Sequence, residues 1–173
     1  MNEKVAIFID GANLFNGLRQ DFNRIDLDYE KLVEKLLKER TLSRVYFYTA
    51  LPDQSRDPER YQKQQKFIAA LKNKPYFNVT LGRLELRENN TYVEKGVDIA
   101  LAVDMVDLGY LNTYDTAILI SGDGDFYKAV ESVKRLGKHV ENAITKSCMS
   151  YNLRQTCDIS IVLDHKFLSD CWM

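Results

Sequence analysis

Apolar residues along this chain fall into two kinds of run. Short unbroken blocks, Val5-Ala6-Ile7-Phe8-Ile9, Val45-Tyr46-Phe47-Tyr48 and Thr116-Ala117-Ile118-Leu119-Ile120-Ser121, have the pattern of strands covered on both faces. Two further strands are expected at His139–Ile144 and Ile159–Leu163, and residues 78–86 alternate imperfectly as a strand or hairpin arm, with Glu88-Asn89-Asn90-Thr91 as its turn. Between the blocks, apolar positions recur at helical spacing. Residues 29–39 carry Leu32, Val33, Leu36 and Leu37 behind Asp28, a natural N-cap. Residues 58–71 open on Pro58 and place Phe67, Ile68 and Leu71 on one face. Residues 126–136 stop at Gly137, and a helix or turn is expected around 149–156. Residues 97–111 are apolar almost all round, which predicts a deeply packed helix.

Alternating strands and helices imply a parallel sheet with helices on both faces. At 173 residues, with no repeat, low-complexity tract or long linker, the chain is expected to form one domain over 1–173. The most loop-like stretch, Gln54–Glu59, does not divide it. Net charge is -1, so the overall charge does not itself point to nucleic acid. No apolar run is long enough for a membrane span, and the start is too short for a signal peptide, so a cytoplasmic protein is expected. Cys148, Cys157 and Cys171 form no C-x-x-C pair and read as reduced thiols. With His139 and His165 they lack zinc-ligand spacing.

The candidate chemistry is acidic. In open α/β sheets function gathers at the carboxyl ends of strands. Asp10 follows the first strand, Asp123 and Asp125 follow the strand ending at Ser121, and Asp98 opens the helix after Gly96. One such acid is usually a helix N-cap. Several converging on one sheet edge repel one another unless a cation lies between them, and oxygen-only donors select a hard ion, Mg²⁺ or Mn²⁺. Asp104, six residues past Asp98, is off that helical face and reads as a peripheral acid or a structural partner. Rival motifs fail. There is no P-loop and no G-x-S-x-G elbow, and Gly122-Asp123-Gly124 lacks the third glycine of a dinucleotide fingerprint. Asp10-Gly11-Ala12 resembles the start of a haloacid-dehalogenase-type phosphatase, but Ala12 stands where that family has a second aspartate.

Phe8-Ile9-Asp10-Gly11-Ala12-Asn13, Lys95 to Asp104, and Ser121-Gly122-Asp123-Gly124-Asp125-Phe126, with a weaker match over 150–158, together resemble an NYN domain of the LabA-like group, within the PIN-like nuclease superfamily. The resemblance spans Val5 to Leu163. It implies a PIN-like (Rossmannoid) three-layer α/β/α sandwich around a mainly parallel sheet, with an acidic Mg²⁺ or Mn²⁺ site for cleaving RNA. Asp10, Asp98, Asp123 and Asp125 fall on the family's acidic positions and Asn13 on its asparagine. On this reading Asp10, Asp98 and Asp123 hold the ion directly or through water. Asp125 is a further ligand or orients the attacking water. Asn13 bonds a carboxylate or a phosphate, Ser121 fixes Asp123, and Lys95 pairs with a substrate phosphate. Lys63, Lys66, Lys72, Lys74, Arg83 and Arg87 are candidates for tracking an RNA backbone, and Tyr61, Tyr76 and Tyr92 for stacking on bases. A near-neutral chain implies modest affinity or a protein partner that delivers the RNA. The competing expectation is a non-catalytic interaction module on the same fold.

Overall fold

The computed structural model describes residues 2–173. In chain order the elements are β1 (Lys4–Asp10), α1 (Gly11–Phe22), α2 (Tyr29–Leu37), β2 (Thr41–Ala50), α3 (Pro58–Lys72), β3 (Phe77–Leu86), β4 (Tyr92–Lys95), α4 (Val97–Tyr110), β5 (Thr116–Ile120), α5 (Tyr127–Arg135), β6 (His139–Ile144), α6 (Tyr151–Thr156) and β7 (Ile159–Val162). The strands form one sheet in the order β4-β3-β2-β1-β5-β6-β7. Neighbours pair in parallel except β4, which returns antiparallel along β3.

The burial of β1 follows from its central place. Val5, Ile7 and Ile9 point into one apolar layer with Leu14 and Leu18 of α1, Leu32, Val33 and Leu36 of α2, and Leu71 of α3. Ala6 and Phe8 point the other way, into a layer with Val97, Leu101 and Met105 of α4, Val130 and Val133 of α5, and Leu153 of α6. Successive strand residues face opposite sides, so a run apolar at every position is a strand sandwiched between helix layers. The expected α/β/α sandwich with a mainly parallel sheet is the observed fold.

Several elements have the expected ends for the expected reasons. Asp28 accepts hydrogen bonds from the backbone N–H groups of Glu30 and Lys31 at 3.1 and 3.2 Å and caps α2. Gly137 takes φ +80° where the chain leaves α5. The stretch over 78–86 proves to be one arm of a hairpin, whose turn places Asn90 at φ 61°. Strand β2 is longer than its apolar block because Thr41, Leu42 and Arg44 extend the ladder ahead of it, with Ser43 left out at a register shift.

One expectation is overturned. Helix α4 is not deeply packed all round: Ile99 is 72% exposed, Val103 56%, Tyr110 75% and the following Leu111 60%. The helix lies in an outer layer. It packs on β1, β2 and β3 with one face and on α5 with a flank, and among the described residues no element covers its outer side. All-round apolarity records composition, whereas burial needs a second layer of structure.

Helix α1 sits close to the end of β6. A Cβ placed on Gly17 would come within 2.0 Å of Thr145 Oγ1 and 3.0 Å of Thr145 Cβ. Gly17→Ala is therefore expected to lower stability by about 1–3 kcal/mol, in the range of overpacking. The Gly17→Ala/Thr145→Ala double variant should recover part of that loss, because the Thr145 side chain is the main obstacle. Denaturant melts of the three proteins check this, and equal loss in the single and double variants would refute it.

Candidate active site at the switch point of the sheet

From β1 the chain steps outward through β2 and β3. It then crosses back to β5 on the other side of β1 and steps outward again. The carboxyl ends of β1 and β5 are thus the point where the winding reverses, and in such sheets a crevice opens there. Asp10 is the last residue of β1, and Ser121-Gly122-Asp123 leaves β5 beside it.

Hydrogen bonds knit the two loops together. The Asp10 carboxylate accepts from the Asn13 backbone N–H at 3.3 Å and from Ser121 Oγ at 2.9 Å. Ser121 Oγ in turn accepts from the Asp123 backbone N–H at 3.1 Å. The Asn13 side-chain carbonyl accepts from the Gly122 N–H at 2.8 Å. Asn142 of β6 donates to the carbonyls of Leu119 and Ser121, which holds the end of β5. Asp123 accepts from the Asp125 N–H at 2.9 Å and starts a short 3-10 turn. Gly122 is required by close approach, since a Cβ there would fall 1.6 Å from the Cys148 carbonyl oxygen.

The acids are electrostatically coupled. Burial pushes the Asp10 carboxyl up to about 6; Asp98 and Asp123 push the same way, and the bonds from Ser121 and Asn13 only partly offset them. Asp98 is also raised, first by desolvation, then by Asp123, within hydrogen-bonding reach, and by Asp125. Glu94, midway along β4, is raised by burial and by Asp10 and Asp98. Among the described residues no salt bridge involves any of the three. A crowded, partly desolvated set of oxygen donors without a counter-charge fits a hard divalent ion. Among the described residues, however, no three acidic, histidine or cysteine side chains converge closely enough to grip one ion directly.

The structure brings Asp10, Asp98, Asp123 and Asp125 to one edge, with Asp10 5% exposed and Asp125 at the solvent side. Lys95 ends β4, exposed. Ser121 holds both loops: it accepts from the Asp123 N–H and donates to the Asp10 carboxylate, because β5 runs directly beside β1. Asn13 bonds the Asp10 carboxylate through its backbone N–H, while its side-chain oxygen accepts from the Gly122 N–H and braces the two loops. Asp104 accepts from the Tyr48 hydroxyl at 2.7 Å, a structural partner away from the cluster.

Glu94 joins the cluster without a sequence signal, since a hairpin arm carries no motif and only the antiparallel return of β4 brings it inward. Of the proposed RNA-tracking cations, Lys74 is paired with Glu30 at 3.3 Å and Lys63 with Glu59 at 2.9 Å. Tyr92 lies under Arg56, 5.5 Å from its guanidinium carbon, and donates to Asp53 at 3.3 Å. A cavity of about 860 Å³ opens at the opposite edge of the sheet. There Arg40 and Glu141 close on each other at 2.8 and 3.1 Å, so it offers no free charge from that pair.

A mainly parallel α/β sheet with acids gathered at its switch point makes this a PIN-like α/β protein. More particularly, the NYN domain model matches residues 4–164, and the chain belongs to the NYN domain family. It is 30% identical over 167 residues to the low amplitude and bright protein LabA of Synechococcus elongatus, covering 93% of this chain and 84% of that one. It is 27% identical over 168 residues to an uncharacterized protein of Methanocaldococcus jannaschii, covering 96% of this chain but 58% of that protein. A crystal structure of a protein of unknown function from Vibrio parahaemolyticus superposes with a TM-score of 0.77 at 26% identity, covering 96% of both chains. Family membership supports a role connected with nucleic acid.

The raised Asp10 carboxyl has a consequence for the metal-free protein. The folded state holds this proton to about pH 6, while an unfolded aspartate releases it near 3.8. The resulting stability is therefore fully present below about pH 4 and is lost as pH rises through about 6. The penalty at neutral pH is of order 3 kcal/mol. Asp10→Asn should accordingly raise the melting temperature at pH 7.5 in chelator by several degrees and change it little near pH 4. A variant no more stable than wild type at pH 7.5 would refute the burial account.

Proposed function

We propose that the chain is a metal-dependent ribonuclease acting on single-stranded RNA through the acids at the switch point. The observation that carries this reading is the convergence of Asp10, Asp98 and Asp123, joined by Glu94, with none of them in a salt bridge among the described residues. In phosphodiester hydrolysis one or two Mg²⁺ or Mn²⁺ ions neutralise the phosphate, activate water and stabilise the leaving oxygen. Asp10, Asp98 and Asp123 would hold the ion, in part through water, since their side chains do not close on a single point. Ser121 and the Asn13 N–H fix the Asp10 carboxylate, so its oxygens are aimed before any ligand arrives. Asp125, at the solvent side, orients the attacking water or adds a ligand, and Lys95 meets a substrate phosphate. The setting proposed is cytoplasmic; among the described residues no helix is long and apolar enough to cross a membrane.

The second reading is a non-catalytic interaction module. The exposed apolar outer face of α4 favours it. Incubating single-stranded RNA with Mn²⁺ and either wild type or Asp123→Asn separates the two. The ribonuclease reading expects cleavage that depends on metal and falls at least 100-fold in the variant. Identical background from both proteins sinks it. A second measurement is independent of substrate. Mg²⁺ or Mn²⁺ should raise the melting temperature, by about 2.7 kcal/mol of stability at a hundredfold excess over its dissociation constant. Asp98→Asn should blunt that rise, and a curve unmoved by millimolar ion favours the module.

A further inference from the structure

Helices α1 and α3 face each other across a cleft of about 340 Å³ that opens next to the acidic cluster. Ala12, Phe15, Asn16 and Arg19 line one wall and Arg60, Lys63, Gln64 and Phe67 the other, each row spaced i, i+3, i+4, i+7 along its helix. Thr49, Ala50 and Pro52, at and beyond the end of β2, line it as well, and so does Glu94. The cleft and the acidic cluster therefore share Glu94, and α1 starts at Asp10 itself.

Charge in this cleft is of the opposite sign to that of the cluster. Lys63 is tied to Glu59 on the solvent side, but Arg19 and Arg60 form no ion pair among the described residues. Two unpaired guanidinium groups on facing walls suit an anion with several oxygens, because arginine presents a planar fork of donors to phosphate. The aromatic rings of Phe15 and Phe67, 5.6 Å apart at their centroids, give the same space an apolar side. The Gln64 amide donates to Thr49 Oγ1 at 3.3 Å, which fixes its carbonyl oxygen as an acceptor next to them. The volume lies at the small end of ligand pockets and is on the scale of one nucleotide.

We infer that the cleft between α1 and α3 is a subsite for a single nucleotide, with its phosphate between Arg19 and Arg60 and its sugar or base against Phe15 and Phe67. Resting on the ribonuclease reading, this makes it the seat of the nucleotide next to the bond that is cut. A strand entering the crevice then meets guanidinium groups at one phosphate and carboxylates at the neighbouring one. With the ion that the carboxylates would hold, the two sites pull the chain into one register across Glu94.

The test uses uridine 5′-monophosphate, inorganic phosphate and uridine as probes, titrated in chelator and followed by calorimetry or NMR. Wild type should bind the nucleotide more tightly than either phosphate or uridine alone. The Arg19→Gln/Arg60→Gln variant should lose at least tenfold in nucleotide affinity with an unchanged melting temperature, since both side chains are exposed. Arg135→Gln, at the end of α5 and outside the cleft, should bind as wild type. With RNA and Mn²⁺, the double arginine variant should raise KM at least tenfold while kcat changes little. Nucleotide binding untouched by the arginine substitutions, or none at millimolar concentration, overturns the subsite. Arginine-dependent binding by a wild type that cleaves nothing keeps the subsite and removes the ribonuclease reading. Cleavage indifferent to both arginines does the reverse.

Discussion

A carboxylate held out of water at the end of the central strand is the constraint on which the rest of this site depends. β1 is covered on both faces by helix layers, so whatever residue ends it is buried by the same layers. An aspartate there is desolvated, and neighbouring acids push its proton affinity in the same direction. The metal-free fold carries this as strain in the electrostatic sense, tolerable because the two large apolar clusters on either side of the sheet supply the stability. Buried groups with displaced proton affinity in a crevice are common where chemistry is done.

The hydrogen bonds around Asp10 show why helix capping and a functional role are compatible. Asp10 caps α1 through the Asn13 N–H while its other oxygen is held by Ser121, and Asp123 caps the 3-10 turn after β5. Capping fixes each carboxylate in one orientation and thereby aims its free lone pairs. Gly122, pressed against the Cys148 carbonyl, and the bond from its N–H to Asn13 lock the second loop onto the first. Local backbone demands and the convergence of charge are met by the same atoms.

Charge is segregated rather than abundant. A chain with net charge -1 places its acids at the switch point and Arg19 and Arg60, without ion pairs among the described residues, in the cleft between α1 and α3. Mean composition conceals this, because attraction at a site falls off within about 8–10 Å at ordinary ionic strength and depends on what is near. The outer face of α4 is the complementary case, an apolar stripe left without a covering layer.

The amino-acid pattern by itself determined most of the strands and helices, though not β4, and which acids follow strands. Period-two and period-3.6 burial are local properties, as the unbroken block at Val5–Ile9 and the capped helix behind Asp28 show. It also placed Asp10, Asp98, Asp123 and Asp125 in recognisable motifs. Tertiary structure alone decided the rest. The hairpin return of β4 brought Glu94 to the cluster, the adjacency of β5 to β1 gave Ser121 to Asp10, and the single-sided packing of α4 left Ile99 and Val103 in solvent. The facing of α1 and α3 put Arg19 and Arg60, some forty residues apart, across one cleft. Each of these depends on which element lies beside which, and periodicity along one segment carries no information about its neighbours in space.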